Sequence, residues 1–196
     1  ASEKLSLGYG GEYKYDWGSF ENRGSYSAST KGHVKDLAIF ANFGYKFNEK
    51  QILSIYTRAD DHKTTGGNNN YKINFAQIFN DFKLGFTHST GLRNPSLYEL
   101  YGSDNFGISG NIDLKPEKSK TNEISAEYNF SEKFKFSSSA YKTTIYDRIE
   151  TNSAYSKHEN KQTDLNQEGL ENELIFKDKD KSFSIFANFM KSRTVS

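Results

Sequence analysis

The sequence predicts an all-β fold: an antiparallel transmembrane β-barrel segment of about nine strands, with short turns at one end and long loops at the other. Three observations predict it. Apolar and polar residues alternate with a period of two along most of the chain. Short polar turns alternate with long excursions from one connection to the next. Aromatic residues flank the short turns on strand after strand.

Taken in order, Leu5, Leu7, Tyr9, Tyr13, Tyr15 and Trp17 share one parity, and Ser6, Gly8, Gly10, Glu12, Lys14 and Asp16 share the other. Leu37, Ile39, Ala41, Phe43, Tyr45 and Phe47 fall together opposite Asn42, Gly44 and Lys46. Tyr71, Ile73, Phe75 and Phe79 come next, then Phe82, Leu84 and Phe86. Ile124, Ala126, Tyr128 and Phe130 oppose Glu123, Ser125, Glu127 and Asn129. Residues 134–149 form a further strand whose apolar parity switches near Ala140 and Tyr141, as a β-bulge would produce. Leu170, Leu174 and Phe176 face away from Glu171 and Glu173, and Phe183, Ile185, Ala187 and Phe189 close the series. Each segment is close to the ~9–11 residues that cross a bilayer when tilted.

The short turns fall at 48–50, 80–81, 131–133 and 178–181, and the long excursions at 16–32, 60–70, 91–118 and about 151–161. Outer-membrane barrels keep this rule, with short periplasmic turns and long external loops, whereas a soluble sheet with one wet face has no reason to. Tyr45 with Phe47, Phe79 with Phe82, Tyr128 with Phe130, Phe134 with Phe136 and Phe176 with Phe183 would stack into a belt at one membrane interface. Cross-strand pairing would account for one such hairpin but not for a succession of them. Tyr13, Tyr15 and Trp17 belong to the opposite, outer belt. In hydrocarbon every backbone group must pair, so a spanning sheet has to close. Its inner face can meet water, and Glu12, Lys14, Glu123, Glu127, Glu171 and Glu173 would point there.

Composition narrows the function classes. Of 196 residues 34% are hydrophobic and 15% aromatic, and the mean hydropathy is -0.83. The 16 Phe and 13 Tyr carry much of the apolar content, and strands favour those types. A net charge of +1 gives no electrostatic case for a nucleic-acid partner. The absence of cysteine excludes disulfides and thiolate metal sites. No apolar run reaches the ~18 residues of a transmembrane helix, but a barrel spreads its signal over alternate residues. The first residues, "ASEKLSLGYG", have neither the charged nor the apolar region of a signal peptide, as expected of a mature protein or a piece of one.

One excursion carries the chain's two prolines: "STGLRNPSLYELYG" from Ser89, followed by "GNIDLKPEKSKTNE" from Gly110. Pro95 biases Asn94 away from helical geometry and can itself open a helical turn. Ser96 to Tyr101 then allows a short helix with Leu97, Leu100 and Tyr101 on a common side. A second turn follows at Asp113, Lys115, Pro116 and Glu117 before the next strand restarts at Ser119. These two stretches resemble the most recognisable segment of TonB-dependent outer-membrane receptors, approximately T-G-F-R-A-P-S-L-Y-E-L-Y-G and G-N-P-D-L-K-P-E-x-S-x-x-x-E. Gly91, Arg93, Pro95, Ser96, Leu97, Tyr98, Glu99, Leu100 and Tyr101 match the first half. Gly110, Asn111, Asp113, Leu114, Lys115, Pro116, Glu117, Ser119 and Glu123 match the second. Leu92 replaces the family's Phe, Asn94 its Ala and Ile112 its first Pro. Residues 57–73 and 165–176 resemble the family's flanking strands, and the cobalamin-receptor branch is the most similar.

The resemblance implies a barrel of about 22 strands around an N-terminal plug domain. It also implies active uptake of a small-molecule cargo, driven by the TonB complex across an outer membrane of lipid and lipopolysaccharide. Residues 1–196 would then be a partial barrel domain without plug, TonB-contacting segment or terminal strands, unable to transport alone. The cargo expectation is a corrinoid, the alternatives being a ferric siderophore or a passive porin-like or adhesive barrel. Gly91, Arg93, Pro95, Ser96, Leu97, Leu100, Asp113, Pro116 and Glu117 are expected to be structural, sealing the mouth and fixing register. Tyr98, Tyr101, Asp104, Asn105, Phe106, Trp17 and Tyr26 are the candidates for cargo contact, chiefly in the variable stretch 102–109.

Other constellations carry less. Asp60, Asp61 and His62 sit together in a polar stretch, but His33, His62, His88 and His158 occupy separate elements and no serine lies in a nucleophile motif, so no enzyme is expected. No cofactor is expected. Calcium held by Asp16 with Glu21, or Asp104 with Asp113, has no EF-hand spacing behind it.

Overall fold

The computed structural model describes residues 4–22, 28–104, 107–178 and 181–195. Nine strands form one antiparallel sheet: β1 (Leu5–Asn22), β2 (Ala28–Asn48), β3 (Gln51–His62), β4 (Gly66–Phe79), β5 (Phe82–Arg93), β6 (Glu117–Asn129), β7 (Phe134–Tyr146), β10 (Asp164–Asp178) and β11 (Lys181–Val195). Each pairs with its neighbour in that order. Between β5 and β6 lies a short helix, α1 (Leu97–Tyr101), and between β7 and β10 a small hairpin of β8 (Ile149–Thr151) and β9 (His158–Asn160).

Residues directly opposite in an antiparallel pair present their side chains to the same face. A single row therefore runs through all nine strands: Leu5, Tyr45, Leu53, Phe75, Phe86, Ile124, Ala140, Leu170 and Phe189. Every member is apolar or aromatic. Leu37 to Tyr45 at odd positions thus share a face with Phe82, Leu84 and Phe86, as the alternation predicts. Glu12, Lys14, Glu123, Glu127, Glu171 and Glu173 all lie on the opposite face by the same registers. The apolar face is bare: Leu7 is 71% exposed, Ile39 64%, Ile124 62% and Phe189 65%. An apolar surface of that extent requires a non-aqueous neighbour, and a polar opposite face is what a barrel lumen requires.

The short connections at 49–50, 80–81 and 130–133 lie at one end of the sheet. A fourth is bounded by the pair Asp178 and Lys181, the residues between them lying outside the described ones. At this end Phe79 meets Phe82 at 6.4 Å, Tyr128 meets Phe130 at 4.7 Å and Phe134 meets Phe176 at 4.9 Å, forming the expected aromatic row.

Three expectations change. The strands are longer than a bilayer crossing, from 12 residues in β3 to 21 in β2. The excursion at 16–32 is mostly paired strand up to Asn22 and Ala28, and that at 60–70 narrows to a tight turn closed by His62 and Gly66. Ladder pairing satisfies the backbone of these segments as well as water does. Gly66, at a φ of 72°, supplies the left-handed residue the tight turn needs. There is no bulge near Ala140, since β7 holds continuous register with both neighbours. The apparent switch arises because Tyr141 faces the lumen, its ring laid over Gly169. The register shift in this sheet falls instead between Lys46 and Asn48.

Candidate functional site at the outer mouth

With both sheet faces largely open, the buried core of the described residues is small and local. Val34, Leu100, Leu114 and Ile149 are each at most 8% exposed, with Leu97 and Tyr101 packed against them. This cluster sits on the lumenal face at the end of the sheet opposite the aromatic turns, and the proline-bearing segment builds it.

Local chemistry folds the segment. Ser96, extended at φ -69° and ψ 162°, is the N-cap of α1. Its Oγ accepts from the Glu99 N–H at 3.2 Å, and the Glu99 carboxylate accepts from the Ser96 N–H at 2.7 Å, a complete capping box. A helix of five residues cannot stand alone. Leu97, Leu100 and Tyr101 therefore dock inward, as their common side predicts, over the lumenal face of β1 and β2. Gly18 and Gly32, opposite each other in the ladder, leave the space. A Cβ on Gly32 would come within 2.1 Å of the Tyr101 ring.

Arg93 fixes this arrangement from the end of β5. It donates to Glu99 through two nitrogens at 3.0 and 3.1 Å, and through Nε to Glu117 at 2.6 Å. Glu117 also accepts from the Ile149 N–H at 2.7 Å. One guanidinium thus joins β5, the helix N-terminus, β6 and β8, in the bidentate geometry that arginine alone offers. Burial works to raise the Glu99 carboxyl, but the bonds from Arg93 and Ser96 outweigh it and hold it below its ordinary value. The Arg93 hydrogen bond likewise holds Glu117 down against its own burial.

The β8–β9 excursion closes over the segment. Asn160 accepts from the Lys115 N–H at 2.8 Å and donates to the Lys115 and Asp147 carbonyls at 2.9 and 2.7 Å. Asn111 donates to the His158 carbonyl at 2.9 Å, and the Ser109 N–H to the Ser156 carbonyl at 2.8 Å. Gly91 lies in β5, Pro95 and Pro116 are buried, and Asp113 is exposed beside Asn111.

The candidate contact residues separate into three sets. Tyr98 is 38% exposed, with Phe20 and His158 each edge-on at 5.8 Å and its hydroxyl donating to Asp104 at 3.4 Å. Burial and that carboxylate push the phenol pKa upward. Asp104 also accepts from the Ile108 N–H at 2.9 Å, next to the bridge between Ser103 and Ser109. Tyr101 turns its ring into the core instead. Trp17 corrects the sequence reading: it is not in a loop, because β1 continues to Asn22, and it faces outward, 73% exposed, on the parity of the apolar face. It can serve the outer aromatic belt but does not meet Tyr98. Tyr26, Asn105 and Phe106 lie outside the described residues.

Sequence reasoning missed Gly32, His158 and Asn160. Facing glycines inside two strands are a signal of close approach, but nothing local to 158–160 points to a partner 45 residues away. Asp16 and Glu21 lie on opposite faces of β1, and Asp16 pairs with Lys14 at 2.7 Å. No three metal-ligating side chains converge among the described residues. His62 accepts from the Thr64 and Thr65 N–H groups at 3.3 Å, a turn-closing role.

A family model described as TonB dependent receptor-like, beta-barrel matches residues 2–176. The chain is 32% identical over 125 residues to the Vitamin B12 transporter BtuB of Photobacterium profundum, covering 63% of this chain and 19% of that protein. The siderophore receptor PirA from Pseudomonas aeruginosa superposes with a TM-score of 0.80 at 18% identity, over 97% of this chain and 38% of that one. The FrpB iron transporter from Neisseria meningitidis gives 0.73 at 16% identity, over 98% and 34%. The chain therefore spans well under half the length of each of these relatives.

Proposed function

The chain belongs to the TonB-dependent receptor-like β-barrel family, and from that premise we propose that it forms part of the wall and outer mouth of an outer-membrane receptor. The receptor takes up a scarce, large nutrient, a corrinoid of the cobalamin type, in a step energised by TonB. Residues 1–196 supply a partial barrel domain, and the rest of the protein supplies the plug and the remaining strands. A receptor of this kind has no need of catalysis.

The observation that carries the reading is the inward docking of α1 with Leu114. A capped helix is clamped to the lumenal face of β1 and β2. It offers an incoming solute a fixed aromatic surface at Tyr98 with Asp104 beside it. Rigid aromatics bind at low entropic cost, which suits a large, flat, polar-rimmed cargo. The 32% identity to a vitamin B12 transporter favours a corrinoid. Likeness to siderophore receptors below 20% identity speaks for the fold alone.

The test is binding to the purified full-length protein, with cobalamin and ferric enterobactin titrated separately. Saturable cobalamin binding is expected, weakened about tenfold or more by Tyr98→Ala and little by Tyr98→Phe. Binding of the ferric siderophore alone would reassign the cargo. Unbound leakage of small solutes through reconstituted protein would point to a passive barrel.

A further inference from the structure

We propose that a cleft between the outer ends of β4 and β5 binds the phosphorylated headgroup of an outer-leaflet glycolipid. The proposal rests on the membrane-wall reading above. It concerns the outside of that wall, away from the mouth.

The cleft arises from the ladder itself. β4 and β5 pair only from Phe79 and Phe82 to Lys72 and Ser89. Beyond that point β4 continues to pair with β3 as far as Gly66, and β5 with β6 as far as Arg93. The two ladders diverge and leave a space of about 500 Å³. Residues 68–70, all asparagine, line one side, and Thr90, Lys118, Lys120 and Tyr146 line the other. Thr90 accepts from the Tyr71 N–H at 3.0 Å, satisfying one backbone donor that lost its strand partner.

Parity and height decide what can reach it. Asn69, Thr90, Lys118, Lys120 and Tyr146 share the parity of the apolar face, so the cleft opens toward lipid. Thr90 is eight residues along β5 from Phe82 of the aromatic turn row. At a rise of ~3.4 Å per residue and a tilt of ~40°, it stands roughly 20 Å above that row. The apolar band of such barrels is ~25 Å tall, so the cleft sits at its outer edge, at headgroup level.

Charge completes the match. Lys118 and Lys120 are exposed and take no ion pair among the described residues, and Lys120 Nζ lies 5.6 Å from the Tyr146 ring centroid. Asp147 is the one carboxylate in the lining, leaving a positive excess. Lys142, Lys191 and Arg193 extend the positive rim on the same face, with Glu168 tied to Lys142 at 3.1 Å. Two lysines suit a phosphate, and the Asn69 carboxamide with Thr90 suits sugar hydroxyls. That combination, open to the bilayer, fits a phosphorylated glycolipid better than a soluble cargo entering through the mouth.

The test uses the full-length protein in nanodiscs and native mass spectrometry with diphosphoryl lipid A and its dephosphorylated form. The wild type should retain the diphosphoryl form preferentially. K118Q/K120Q should lower its occupancy about tenfold, while K118R/K120R keeps it. Should K118Q/K120Q fail to fold, Asn69→Asp, which sets a carboxylate in the same cleft, must give the same loss. Equal retention of both lipids by the wild type, or unchanged occupancy in K118Q/K120Q, overturns the proposal. Heat-dependent gel mobility of the wild type separates the two readings. If the barrel signature is present and lipid preference absent, only the cleft assignment fails; if the signature itself is absent, the membrane-wall reading fails too.

Discussion

Arg93 is the residue on which the mouth depends. Its three hydrogen bonds hold two carboxylates from different elements side by side, and without it Glu99 and Glu117 would repel each other. Arg93 is itself about half exposed, so solvent screening discounts the loss in Arg93→Ala to about 1–2 kcal/mol, confined to the loop. Amide exchange across 94–116 should quicken roughly tenfold, with the strands unchanged. Arg93→Lys should not restore protection, because an ammonium cannot bridge both partners in the same plane. The pH dependence has a definite sign. Both carboxyls are depressed in the fold, so their contribution is complete above the ordinary value of 4.5 and is lost as pH falls through their folded values. Acid should therefore open the wild-type loop before the barrel unfolds, and the same acid should have little further effect on Arg93→Ala. An acid response of equal size in both proteins would remove Arg93 from this role.

At the scale of elements, α1 and the β1–β2 hairpin are fitted to each other through Gly32. In an ordinary strand, replacing glycine by alanine gains about 0.5–1 kcal/mol. Here the new Cβ meets the Tyr101 ring, so Gly32→Ala should destabilise the docked helix by about 1–3 kcal/mol instead. Tyr101→Ala in the same protein should recover part of that loss. The measurement is a double-mutant cycle on protection of 94–116, and additive effects would mean that the two residues do not meet. The sequence made α1 readable because its determinants are local: proline, an N-cap serine and glutamate three residues later all act within one turn. It made the strands readable because the odd positions from Leu37 to Tyr45 and the even ones from Phe82 to Phe86 are all apolar or aromatic. The reach of the strands was not readable, since Gly18 to Asn22 and Ala28 to Lys35 lose the regular alternation, with Phe20 and Val34 on the parity of the polar face, and pairing there depends on the partner strand rather than on pattern. Nor was the partner of the loop readable. His158 and Asn160 reach Tyr98 and Lys115 through a fold that brings together segments with no shared periodicity.

At the scale of the whole molecule, the two faces of the sheet differ in what they can meet, apolar on one side and polar on the other. Ile124 lies in the apolar row that crosses all nine strands, opposite Phe86 and Ala140, while its neighbour Glu123 points to the other face. In a soluble sheet with this exposure, an arginine at 124 would be an ordinary surface substitution, neutral to within about 0.5 kcal/mol. In a barrel it would sit near the middle of the hydrocarbon, at a cost of about 2–4 kcal/mol. Glu123→Arg, one residue along, tests the lumenal face with the same side chain and should change stability little. The comparison is made on the full-length protein, folded into phospholipid vesicles and titrated with urea. A large loss for Ile124→Arg beside a small one for Glu123→Arg fixes lipid on the even-numbered face of β6. Similar losses at both positions, or the reverse order, would invert the faces and with them the orientation of the mouth and of the β4–β5 cleft.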